Sequence, residues 1–212
     1  MEKDIPQAVA QYAEEVLGSE SFRYTCAVVA NCKMLALELE TQEDADMPLI
    51  DQDALTIAAY LHDISTVVHG FHDHQRTSAE MAVAYLRELH APEACIHTVE
   101  QAILTHTTVK TSNNEDAHLP IEGRILYDAD KLGRLSGLAV ITSLIEFGAR
   151  YPNRAVTGDA LTAILRHVEE RFVDLYQSLY TAPARAMAHD KFGRTLAFLD
   201  GVIEHLSDAT PV

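Results

Sequence analysis

Residues able to bind divalent metals stand at the ends of apolar helical patterns in this chain. His62 and Asp63 close the run LTIAAYLHDIS, His74 follows in a His-rich stretch, His106 ends AILTHT, and Asp128 and Asp130 lie in ILYDADKL. Imidazole nitrogens and carboxylate oxygens together suit Mn, Fe, Ni, Co, Zn or Mg without choosing among them. A cation held in this way lowers the pKa of water and offsets charge on an anionic substrate, which points to hydrolysis. Neighbours on a helix point about 100° apart, so His62 and Asp63 can share an ion only at a helix end, and other helices must supply further ligands. His106 and Asp130 are the obvious candidates. Asp130 sits among Ile125, Leu126, Leu132 and Leu135, and a carboxylate buried there needs either a metal or a cationic partner such as Arg124 or Lys131. His69 and His72 read as solvated loop residues. His90, His97, His118, His167, His189 and His205 read as structural or exposed.

Helices must position these groups, because strand signals are nearly absent and the apolar period is helical almost throughout. The first helix is expected over about 6–17 and a second, capped by Ser19 or Ser21, over the CAVVANCKMLALEL segment. The polar loop TQEDADMP leads to a third helix, 51–61, that ends at the dyad. STVVHGFHDH is expected to be a loop. A fourth helix begins near Thr77-Ser78 and runs to about His90. Pro92 opens a fifth that ends near His106, and TVKTSNNEDAHLP follows as a long polar loop, either a lid or simply mobile. A sixth helix starts near Pro120, SGLAVITSLIEFGARY forms a seventh, and two long helices cover 158–180 and 183–206. No linker divides these elements, so the sequence predicts one all-α domain over 1–212.

Composition narrows the partners. The chain has 212 residues, 48% of them hydrophobic, enough for a sizeable core, and a formal net charge of -16. That charge argues against nucleic-acid polymers and anionic membranes, which demand a basic surface. A small phosphorylated substrate stays compatible, since a metal and a few local cations can hold a phosphate. No apolar run approaches the roughly 18 residues of a membrane span, and the N-terminal MEKDIPQ lacks a signal-peptide pattern. The expected location is the cytoplasm. Cys26, Cys32 and Cys95 do not form a disulfide pattern, and Cys26 and Cys32 read as small buried residues. A homodimer is plausible from the long apolar C-terminal helices.

In this order the motifs resemble the HD superfamily of metal-dependent phosphohydrolases, most closely its stand-alone bacterial and archaeal members. The resemblance rests on LHDIS, HDHQRTSAEMAVAYL, AILTHT, ILYDADKLGRLSG and SLYTAPARAMAHDKFGRTLAFLDGVIEHL, and runs from about Phe22 to Leu206. It implies an HD-type helical bundle with a core near 22–135 and a helical extension over 136–207. It also implies metal ligation by His62, Asp63 and Asp130, with Asp128 as the second choice for the distal carboxylate. His74 and His106 match the intermediate histidines, which in relatives bind a second metal or contact the phosphate. Two positions depart from the family pattern. Tyr24 stands where the first ligand His would fall, and Gly133 where close relatives often carry another Asp.

The activity so implied is hydrolysis of a phosphate ester or phosphoanhydride, with a nucleotide as the expected substrate. His74 and His106 would contact the phosphate or move a proton. Lys131 or Arg134 would add positive charge or be merely solvated. Because of Tyr24, the metal binds with fewer protein ligands, or His74 or His106 substitutes, or Tyr24 binds as phenolate, or the metal is lost. Two other readings follow from the same fold: a metal-poor nucleotide-binding module that has lost hydrolysis, and a di-iron oxygenase, which needs a full ligand set.

Overall fold

The computed structural model describes residues 4–41, 48–107, 119–135, 137–152 and 157–208. Among the described residues there are nine helices and no strand, as the 3.6-residue apolar period predicts. The two polar loops expected over 41–48 and 108–120 fall largely outside the described residues, as does His118. Among the described residues no single helix is long and apolar enough to cross a membrane.

The chain forms two compact units, residues 1–130 and 131–212. The first contains α1 (Ile5–Thr41), α2 (Gln52–Leu61), α3 (Thr66–His69), α4 (His74–Glu88), α5 (Glu93–Thr105) and most of α6 (Ile121–Arg134). Two helices were expected where α1 runs. The helical pattern does break between them, at Gly18, with φ 74° and ψ 164°. That conformation is essentially open to glycine alone, so one residue without a Cβ redirects the chain with no intervening loop.

At the centre of this unit, α2 packs against α1, α4 and α5. Asp51 caps it, its carboxylate accepting from the Ala54 amide at 2.9 Å, an interaction worth about 1 kcal/mol. The Asp51 amide in turn donates to the buried Glu122 carboxylate at 2.9 Å. Ala54, Leu55, Ile57, Ala58, Ala59 and Leu61 are all buried. A helix buried on nearly every side is held by tertiary packing, and its C-terminal end is correspondingly fixed.

After α2 the structure corrects the expected loop. Residues 66–69 form the short helix α3, and α4 begins at His74, three residues before Thr77. Asp73 makes the early start possible. It adopts a left-handed conformation (φ 54°, ψ 29°), which Asp tolerates better than most residues. Its carbonyl accepts from the amides of Arg76 at 3.2 Å and Thr77 at 3.3 Å. Cys32 is buried as expected, whereas Cys26 is only half-buried.

The second unit holds the end of α6 with α7 (Gly137–Arg150), α8 (Gly158–Gln177) and α9 (Ala182–Asp208). Thr157 caps α8 through its hydroxyl. Tyr176 and Phe192 stack with ring centroids 4.4 Å apart where α8 and α9 meet. Arg185 closes the turn between them by donating to the carbonyls of Leu179 at 2.7 Å and Tyr180 at 3.1 Å.

Candidate metal centre

His62 is the C-cap of α2, so it follows directly from the helix that the core holds most firmly. Its Nδ1 lies 2.9 Å from the Ala59 carbonyl. His74, the first residue of α4, places Nδ1 2.9 Å from the Phe71 carbonyl. His106, the C-cap of α5, makes the same contact with the Ile103 carbonyl at 2.5 Å. A carbonyl only accepts, so each Nδ1 carries the proton and each Nε2 lone pair is turned the other way. Tautomer and ring angle are thereby fixed by the backbone, which is the usual preparation of a ligating histidine.

All three Nε2 atoms face Asp63. His74 Nε2 is 3.3 Å and His106 Nε2 3.6 Å from Asp63 Oδ1, and His62 Nε2 is 3.5 Å from Oδ2. Asp63, His74 and His106 each offer a ligand atom within 4.8 Å of the others'. The three rings pack edge to face, with His106 centroids 5.2 Å from His62 and 5.5 Å from His74. Burial pushes the Asp63 carboxyl up, but the N–H donation and positive charge that the facing His106 and His62 rings offer when protonated outweigh it and bring it down to about 2. Burial also pushes the His106 imidazole down, against the opposing pull of Asp63. At neutral pH an ionised carboxylate therefore faces an unprotonated imidazole, the protonation states that metal ligation requires.

Among the described residues, two buried atoms at this point, His62 Nε2 and Asp63 Oδ1, have no hydrogen-bond partner. Such groups are costly unless something else satisfies them. Lone pairs aimed at a carboxylate repel it unless a cation lies between. The donor set thus fits a divalent metal: nitrogen and oxygen, no thiolate, rigidly presented from three helix ends.

A hydroxyl network fixes His74 relative to Asp63. The Ser65 amide donates to Ser78 Oγ at 3.1 Å, Ser78 Oγ to Ser65 Oγ at 2.9 Å, and Ser65 Oγ to the His74 carbonyl at 3.2 Å. Both serines are fully buried. Neither carried a functional signal in the sequence beyond lying in the motifs LHDIS and RTSAE.

Asp128 and Asp130 are both buried on α6. Asp130 lies close enough to Asp63 to oppose its ionisation, and both α6 carboxylates push the Cys32 thiol up, after burial itself. Tyr24, at the position of the missing histidine, donates its hydroxyl to Asp130 Oδ1 at 2.8 Å. Lys131 is half-buried and Arg134 exposed on the last turn of α6. Arg124, one alternative partner for Asp130, keeps a buried Nε without a hydrogen bond among the described residues. His69 and His72 are exposed, as expected, while Phe71 between them is 72% exposed. Its ring lies edge to face on His74, centroids 5.9 Å apart.

The sequence profile of the HD domain matches residues 24–135, beginning at Tyr24. Solved structures with a similar fold include the Lin1889 protein of Listeria innocua, 17% identical over 95% of this chain and 97% of that one, with a TM-score of 0.66. They also include Bacillus subtilis YpgQ in complex with ADP, 16% identical over 94% of each chain, with a TM-score of 0.68. No curated protein sequence matches.

Proposed function

The chain belongs to the HD-domain family, and from that premise we propose that it is a metal-dependent phosphohydrolase acting on a small phosphate ester or nucleotide. HD domains bind divalent metals and are generally phosphohydrolases. The observation that carries the reading is the convergence of His62, His74 and His106 Nε2 on the ionised, half-buried Asp63 carboxylate. In this reading His62, Asp63 and Asp130 hold the cation, and Asp128 is the reserve carboxylate on the same helix. When bound, the metal supplies charge neutralisation at the phosphate oxygens and a lowered pKa for water. Whether the metal is Mn, Ni, Co, Fe, Mg or Zn is left open by the donor types.

His74 and His106 have two compatible uses. They complete the coordination, or they contact the phosphate and carry a proton. His106, kept unprotonated by burial, suits acceptance of a proton from the attacking water, and Lys131 adds positive charge beside Asp130 in sequence. In the reaction the water oxygen forms a bond to phosphorus as the phosphorus–oxygen bond to the leaving group breaks. The leaving oxygen takes up a proton.

A nucleotide is favoured by the exposed apolar surface beside the cluster. Val67, Val68 and Phe71 are all exposed, and Phe71 touches His74. The ADP complex of YpgQ, a protein of similar fold, fits the same reading. A base stacked on an aromatic ring gains about 1–3 kcal/mol. Phe71→Ala is therefore expected to raise KM for a nucleotide several-fold with little change in kcat, and to leave a phosphate ester without an aromatic group unaffected. Equal effects on both substrates would remove Phe71 from substrate recognition. We further read the core near 22–135 as the catalytic part and 136–207 as its helical extension, acting in the cytoplasm, where free thiols stay reduced.

The experiment that tests the activity is a panel of nucleoside mono-, di- and triphosphates and simple phosphate esters, assayed for phosphate and pyrophosphate release with Mn, Co, Ni, Mg or Zn and with chelator. Release that a chelator abolishes and metal restores supports the hydrolase. Tight metal and nucleotide binding without release would make the protein a nucleotide-binding module.

A further inference from the structure

We propose that Tyr24 is a positioning residue for the metal centre, holding the Asp130 carboxylate in place as a neutral hydrogen-bond donor rather than ligating the cation itself. The inference rests on the metal-centre reading above. Tyr24 donates to Asp130 Oδ1 at 2.8 Å and also reaches the Asp130 carbonyl at 3.2 Å. One turn-pair further along α1, Asn31 Nδ2 donates to the Ala129 carbonyl at 3.1 Å. Residues seven apart share a helix face, so one face of α1 grips α6 at successive residues. The two grips differ in kind. Asn31 holds only main chain, whereas Tyr24 holds main chain and the carboxylate.

The chemistry separates a donor from a ligand. A phenol that donates to a carboxylate keeps its proton, since a phenolate would repel the anion it faces. A protonated phenol is a poor metal ligand, with an ordinary pKa near 10. Asp130 is only 1% exposed, so its charge has little water to satisfy it, and a fixed donor both offsets that cost and removes rotational freedom. Partners of this kind orient ligands, and their loss typically costs about 10–100-fold in metal affinity. Tyr24 itself is 40% exposed and Phe is nearly isosteric with it, so removal of the hydroxyl leaves the packing of α1 in place.

The test compares wild type, Tyr24→Phe and Asn31→Ala by calorimetric titration with Mn²⁺, alongside thermal unfolding without metal. Ultraviolet difference spectra taken during the same titration report tyrosinate formation. We expect Tyr24→Phe to weaken Mn²⁺ binding about 10–100-fold with unchanged stoichiometry. Asn31→Ala should stay within about twofold of wild type in affinity even where it lowers the unfolding temperature, and no tyrosinate signal should appear. Unchanged affinity in Tyr24→Phe would overturn the proposal. So would an equal loss in both variants, which would mark a purely structural contact. A tyrosinate signal present in wild type and absent from Tyr24→Phe would make Tyr24 a ligand instead, and the wild-type spectrum gives that answer even if the variant folds poorly. A wild type that binds no Mn²⁺ would sink the metal-centre reading together with this one. A wild type that binds it beside an unaltered Tyr24→Phe would sink this one alone.

Discussion

Asp63→Ala is expected to abolish metal binding and turnover together. All three imidazoles face Asp63, at 3.3–3.6 Å. Removing it leaves three nitrogen lone pairs directed at an apolar methyl group. Metal affinity should fall by more than the roughly 10–100-fold typical of losing a residue that merely orients a ligand, and turnover should drop to background. Calorimetric titration and phosphate release measure the two. Residual hydrolysis within tenfold of wild type would remove Asp63 from the site.

The same variant makes a prediction about acid stability of the metal-free protein. The Asp63 carboxyl lies at about 2 in the folded chain against an ordinary 3.8. Its stabilising contribution, on the order of 2 kcal/mol, is present above the unfolded value and is lost as pH falls through the folded one. His106 acts in a different range. Its folded pKa is lowered, so the unfolded chain binds the extra proton and stability falls as pH drops below the unfolded value of about 6.5. Wild type should thus weaken in two stages on acidification. Asp63→Ala should lose the stage below about pH 4 and keep the one that begins near neutrality. Denaturant midpoints measured across pH check this.

Leu61→Ala is expected to be the most destabilising of the simple truncations beside the site. Leu61 has no exposed surface and ends the helix that α1, α4 and α5 enclose. Such a cavity costs about 2–5 kcal/mol. At about 2–4 °C per kcal/mol for a chain of this size, the unfolding temperature should fall by roughly 5–20 °C. Because His62 follows directly, metal affinity should fall as well. Leu49→Ala, at a position 93% exposed, should change neither. A Leu61→Ala protein as stable as wild type would mean that α2 is not the centre of the core.

Much of this scaffold is legible in the sequence because local chemistry specifies it. Asp51 announces the start of α2, and the apolar run to Leu61 announces its burial and hence the rigidity of the His62-Asp63 pair. Pro92 marks the start of α5. The burial of Asp130 follows from its apolar neighbours. Other features are set by backbone geometry that side-chain type only permits. Asp73 in a left-handed conformation starts α4 early and makes His74 a helix residue, where a polar, His-rich stretch predicts a loop. Position 18 reads as a gap between two helices, whereas a glycine conformation bends a single hydrogen-bonded run. The Tyr24–Asp130 contact spans 106 residues. No local pattern reveals it, so from sequence a tyrosine in the place of a histidine ligand leaves open a smaller ligand set, a substitute histidine, a phenolate ligand or a lost metal. In the fold its hydroxyl meets the Asp130 carboxylate, which we propose as a metal ligand.

The most direct test of the metal-centre account is elemental mass spectrometry of wild-type and His62→Ala proteins purified without added metal. Purification is followed by equilibration with Mn, Ni or Mg. The account predicts near-stoichiometric metal in wild type and its loss in His62→Ala. A wild type that carries no metal and takes up none of these ions would contradict it.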